Sequence, residues 1–198
     1  MRIIFASKNR GKLREFQGKL SKSGIEVIPL DEVKKVEEPP ETGNTFLENA
    51  YQKAVYYAKA LGEPVISEDS GLEVEALGGL PGVRSSRFAG ENATDEMNNR
   101  KLIEELKKRG LSESPARYVS FIVLAFPEEK GLWSEGEVRG KVILEPRGEG
   151  GFGYDPLFIP EGYTLTMAEI PFEEKNRISH RGKAIDKLVK LIEEIKRW

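Results

Sequence analysis

Apolar runs and helix-patterned stretches follow one another in an order that changes part-way along this chain. At the start they alternate. Arg2 to Ala6 reads as a buried strand, a helix follows with Leu13, Phe16 and Leu20 on one face, and Ile25 to Leu30 reads as a second strand. Thr45 then opens a stronger helix: Thr45-x-x-Glu48 is a capping box, Phe46, Ala50, Ala54, Tyr57 and Leu61 share a face, and Gly62 ends it. Later the strands run together. Arg117 to Phe126 is a long apolar run, and Trp133 to Leu144 alternates like its antiparallel neighbour. A chain that alternates early and pairs strands late folds as a mixed α/β sheet with flanking helices, not a purely doubly wound one.

Between these segments, Asp31 to Thr42 is acidic and proline-bearing and reads as a loop. Pro64 to Ser67 is a strand that runs into polar Glu68-Asp69-Ser70-Gly71, and Leu72 to Leu77 resumes it. Thr94 caps a helix that stops at Gly110, and Ser179 caps a last helix with Ile185, Leu188, Ile192 and Ile195 facing inward. No internal repeat or linker divides the 198 residues, so a single domain is expected.

Composition narrows the chemistry. There is no cysteine and one histidine, His180, so thiolate sites, disulfides and histidine-rich metal sites are excluded. A metal here is held mainly by oxygen, which favours Mg²⁺ or a similar hard cation. The net charge of -2, with both signs interspersed, gives no bias toward nucleic acid. Apolar Ile3 to Ala6 turns polar at once, and no segment is long enough to span a bilayer; a cytoplasmic protein without a membrane partner is expected.

The segment from Gly150 to Pro160 carries glycines, aromatic rings and Asp155 in a run too interrupted for a helix. Such a run lets backbone approach a ligand and offers Phe152 or Tyr154 to stack on it. Gly148-x-Gly150-x-x-Gly153 also spells the dinucleotide fingerprint, but Pro146 precedes it and Pro156 with a strand follows, so the required strand–turn–helix context is missing.

Four further groups bear chemistry. Ser7-Lys8-Asn9-Arg10-Gly11-Lys12 lies between a strand and a helix start, where backbone N–H groups favour anions; a solvated basic turn is the equal alternative. Asp69 stands where a strand ends and Glu41 in a loop before a helix, places from which carboxylates hold a hard cation. Glu68 and Asp69 are adjacent on extended chain and face opposite ways. Lys53 shares a helix face with Asn49, turned to solvent or to a phosphate. Lys175 precedes His180-Arg181 at a helix start, where the dipole disfavours a cation unless an anion or an acceptor-rich base is near. Ser70, His180 and Asp155 do not make a hydrolase triad, because no nucleophile-elbow sequence surrounds Ser70.

With these residues in place, the chain closely resembles the inosine triphosphate pyrophosphatase family along nearly its whole length. Ser7-x-Asn9-x-x-Lys12 is similar to the family's opening motif. Glu41-Thr42-Gly43-x-Thr45-Phe46-x-Glu48-Asn49-Ala50, with Lys53 in step, is similar to its second. Ser70-Gly71-Leu72, Pro81-Gly82-Val83, Ser86-Arg87, Gly150 to Pro156 and Ser179-His180-Arg181-Gly182 follow in order. The resemblance implies an elongated mixed sheet in two lobes around a central cleft, a homodimer, and Mg²⁺-dependent hydrolysis of non-canonical purine nucleoside triphosphates to a monophosphate and pyrophosphate. It implies Asp69 as general base and metal-associated carboxylate, with Glu41 on the metal. Ser7, Lys8, Asn9, Arg10, Gly11, Lys12 and Lys53 are implied on the triphosphate, and Ser70, Phe152, Gly153, Tyr154, Asp155, Lys175, His180 and Arg181 on the nucleotide. Glu68 departs from the paired aspartates of many members. A non-catalytic nucleotide sensor, or a pyrophosphatase for other modified nucleotides, are the alternatives.

Overall fold

A computed structural model describes residues 1–197. Six strands form one sheet: β1 (Arg2–Phe5), β2 (Glu26–Pro29), β3 (Val65–Val74), β4 (Glu113–Ala125), β5 (Gly131–Ile143) and β6 (Phe158–Pro160), in the spatial order β2-β1-β3-β4-β5-β6. β1 pairs in parallel with β2 and β3, whereas β5 and β6 are antiparallel, so the sheet is mixed as the order of apolar runs predicts. The helices are α1 (Arg10–Leu20), α2 (Phe46–Leu61), α3 (Asp95–Lys108), α4 (Phe172–Ile178) and α5 (His180–Ile195).

The residues fall into two compact units. The first comprises Met1–Asp69, Ser120–Gly136 and residues 181–197; the second comprises Ser70–Val119 and Glu137–His180. In the first unit the strands send alternate residues to opposite faces, the period-2 geometry of extended chain. Ile3, Phe5, Ile66, Ile122 and Leu124 pack with Leu13, Phe16 and Leu20 of α1 and with Ala184, Ile185 and Leu188 of α5. Ile4, Ala6, Val65, Val123 and Ala125 pack with Ala50, Ala54 and Tyr57 of α2. Both faces of this part of the sheet are therefore covered by helices. The second unit has one core, in which Leu102 and Leu106 of α3 meet Tyr118, Val142, Leu157 and Phe158.

Caps fall where local sequence places them. The Thr45 side chain accepts the Glu48 N–H at 3.1 Å, while the Glu48 carboxylate reaches one residue further back than a capping box requires and accepts the Asn44 N–H at 2.9 Å. Several expectations are corrected. The polar turn after β1 is shorter than Ser7 to Lys12, because Asn9 caps α1 and Gly11 and Lys12 already lie in its first turn. β3 runs unbroken through Asp69-Ser70-Gly71 to Val74, so Asp69 lies within the strand and not at its end. α4 has no counterpart in the sequence reading. Ile195 is exposed, because α5 has passed beyond the core by its last turn.

Candidate active site

In the first unit the charged side chains are paired in a chain of contacts. Asn9 spends its side-chain oxygen on the Lys12 N–H at 3.0 Å, and Ser7 accepts the Asn9 N–H at 3.1 Å. The Lys12 ammonium reaches the Glu68 carboxylate at 3.0 Å. Glu68 is buried on β3 and also accepts from Ser120 at 3.0 Å and from the Arg181 guanidinium at 3.3 Å. Arg181 in turn grips Glu15 of α1. Burial by itself lowers the Arg181 pKa, but Glu68 and then Glu15 outweigh it and raise it, so this cation stays charged inside the protein. The anion that the sequence places near Arg181 is therefore supplied by two carboxylates of the chain itself.

Asp69, the next residue of β3, hydrogen-bonds outside this network but still feels the charges of Lys12 and Glu68. Its carboxylate accepts from the Asn49 amide at 3.2 Å. Burial pushes its pKa up to about 6; Lys12 and the Asn49 hydrogen bond oppose the rise, and Glu41 and Glu68 add to it. A carboxyl balanced near neutrality suits proton abstraction. Lys53 sits on Glu41 at 2.5 Å. Lys8 and Arg10, by contrast, are exposed and pair with Glu38 and Asp31. Of the basic groups in the opening motif, only Lys12 is drawn to the Glu68–Asp69 step.

The second unit gathers Phe152, Asp155, Lys175 and His180. Gly151 has φ +67°, and a Cβ there would stand 2.1 Å from the Asp155 carboxylate, so glycine is required. Asp155 is buried and its oxygens accept from the Phe152 N–H at 3.1 Å, from Lys175 at 2.7 Å and from the Tyr118 hydroxyl at 3.2 Å. The Lys175 ammonium also stands 4.7 Å from the centre of the Phe152 ring. Tyr118 stacks on the His180 imidazole, with centroids 4.6 Å apart and planes within 8°. Tyr154 turns inward and donates to the Ser85 carbonyl at 2.6 Å. Sequence reasoning missed Glu15, Ser120 and Tyr118 as parts of these clusters, and set Asn49 beside Lys53 without giving it the Asp69 carboxylate as a partner.

Among the described residues no group of three or more His, Asp or Glu side chains stands ready as a metal site. The donor set nonetheless fits a hard cation. Asp69 is crowded by Glu41 and Glu68 strongly enough for their charge to raise its pKa, and a protein that offers one or two carboxylate oxygens leaves the remaining positions to phosphate and water.

A model of the Ham1 family matches residues 3–191. A dITP/XTP pyrophosphatase of Aquifex aeolicus is 48% identical over 201 residues, which cover 97% of this chain and 96% of that protein. The dITP/XTP pyrophosphatase of Bacillus subtilis is 46% identical, with 96% of each covered. The structure of a HAM1 protein from Coxiella burnetii matches with a TM-score of 0.86 at 41% identity, covering 98% of this chain and 99% of that one. No helix among the described residues is long and apolar enough to cross a membrane.

Proposed function

The chain belongs to the Ham1 family, and from that premise we propose that it hydrolyses dITP, XTP and ITP to the nucleoside monophosphate and pyrophosphate. The observation that carries this reading is the half-buried Asp69 carboxyl, held by Asn49 in the field of two lysine–glutamate pairs, with its pKa pushed up to about 6. A water that attacks the α-phosphorus loses its proton to Asp69. Lys12 keeps one donor on Glu68 and turns the others to phosphate oxygens, Lys53 exchanges Glu41 for them, and both stabilise the charge that builds on the leaving group. Glu41 and Asp69 are the residues that would hold Mg²⁺, which when bound neutralises part of that charge. Glu68 keeps Lys12 in place, and Arg181 keeps Glu68 in place.

The base is the part for which Phe152, Lys175 and His180 are suited. Phe152 stacks on it, and donors from His180 or from backbone N–H groups meet a 6-oxo group. A 6-amino group there sets donor against donor, which costs roughly 1–3 kcal/mol for each buried group left without a partner. Asp155 acts indirectly, because its oxygens are spent on Phe152, Lys175 and Tyr118. A homodimer in the cytoplasm belongs to the same proposal and is tested by sedimentation. The activity is tested by pyrophosphate release from dITP, XTP, ITP, GTP and ATP, with Mg²⁺ and with EDTA. Mg²⁺-dependent release from the first three with little from ATP supports the proposal. Tight ITP binding without release makes the protein a sensor instead.

A further inference from the structure

Helix α3 carries none of the residues assigned above, yet it holds the tip of the glycine segment by both of its backbone groups. The Gly153 N–H donates to the Asp95 carboxylate at 2.9 Å, and the Gly153 carbonyl accepts from the Asn99 amide at 3.1 Å. Asp95 and Asn99 are four residues apart, so they lie one turn apart on the same side of α3. The pair captures one residue much as a neighbouring strand would. Gly153 has φ +61°, a conformation that its lack of a Cβ permits but does not enforce. The clamp selects it. The flanking residues are pinned as well, Phe152 by its N–H on Asp155 and Tyr154 by its hydroxyl on the Ser85 carbonyl. The adjacent Asn98 binds a second turn, donating to the Ser86 carbonyl at 3.0 Å and accepting the Ala89 N–H at 2.8 Å. Leu102 and Leu106 anchor the helix in the core.

We propose that Asp95 and Asn99 are positioning residues for base recognition: they fix the backbone of Gly153 and so the place at which Phe152 meets the base. The assignment rests on the function proposed above. Neither residue touches phosphates in that reading, so the clamp acts on substrate affinity and leaves the chemical step alone.

The test is steady-state pyrophosphate release from dITP and XTP, with equilibrium ITP binding in parallel. Asp95→Ala and Asn99→Ala are each expected to raise KM about fivefold, and the double variant about twentyfold, with kcat within about twofold of the parent, as expected for lost hydrogen bonds. Asp95→Asn keeps an acceptor for the Gly153 N–H and is expected to stay near the parent KM. If it matches Asp95→Ala, charge at the helix start is the cause and the clamp is overturned at Asp95. Asn99→Asp, the isosteric change, sets a carboxylate against the Gly153 carbonyl and is expected to raise KM more than Asn99→Ala does. An active parent whose KM survives Asn99→Asp and Asp95→Ala overturns the proposal. A parent that neither turns over nor binds ITP overturns the underlying function instead.

Discussion

Asn49 and Asp69 are joined by a hydrogen bond of 3.2 Å, from an amide on α2 to a carboxylate on β3. The same amide accepts the Gly43 N–H through its oxygen at 2.8 Å, so one buried side chain ties the loop that follows Glu41 to the strand of Asp69. Gly43 has no room for a side chain, since a Cβ would stand 2.6 Å from the Asn49 oxygen. Asn49→Ala deprives two groups of their partners and is expected to cost about 1–3 kcal/mol in urea unfolding. Asn49→Asp sets a second carboxylate against Asp69, raises its pKa further, and shifts the acid limb of the pH–rate profile to higher pH. An unmoved limb would remove Asp69 as the titrating base.

Asp69 itself links activity to stability. Its pKa is pushed from 3.8 up to about 6, chiefly by burial. Below 3.8 the group is neutral in the folded and unfolded chains alike. Between 3.8 and about 6 the folded protein keeps a proton that the unfolded chain has released, so stability falls as pH rises through this window. Above it the full cost remains, up to roughly 3 kcal/mol. Asp69→Asn is therefore expected to abolish turnover and yet stabilise the unliganded protein at pH 7, with the difference vanishing near pH 4. Unfolding curves at both pH values check this. A variant less stable than the parent at pH 7 contradicts the sign.

What the sequence discloses follows the range of the interactions. Thr45 and Thr94 could be assigned as caps because each accepts from a backbone N–H three residues ahead. The opposed faces of Glu68 and Asp69 follow from strand geometry alone. Arg181 illustrates the limit. A cation at a helix start demanded an anion, but nothing local names Glu15, which is distant in sequence. α4 escaped notice because Glu173, Glu174, Lys175, Asn176 and Arg177 give it almost no apolar period, and it begins after Pro171 without a side-chain cap. The Gly153 clamp was hidden for the same reason as Glu15: its partners Asp95 and Asn99 lie 58 and 54 residues away in sequence.

The Lys175–Asp155 pair is buried on both sides. Removing one partner strands the other charge, and Lys175→Met is expected to cost about 3–5 kcal/mol. Adding Asp155→Asn to that variant removes the stranded charge and is expected to recover part of the loss. Denaturant unfolding of the two single variants and the double variant measures the coupling. Strict additivity would mean that the ion pair does not hold the segment.

Arg181 spans two carboxylates with the two ends of one guanidinium, Glu15 on one and Glu68 on the other. A lysine keeps the charge but presents one point where the fork presents two. Arg181→Lys is therefore expected to fold with a lower thermal midpoint and to leave Glu68 less firmly held. Glu68 carries Lys12, so the loss should pass to the phosphates: inhibition by inorganic pyrophosphate weakens, and more so than inhibition by the nucleoside monophosphate. If Arg181 instead reads the base, the order reverses and monophosphate inhibition suffers most. Inhibition constants for both ligands, measured on the parent and on Arg181→Lys, separate a residue that positions Lys12 from one that contacts the nucleobase.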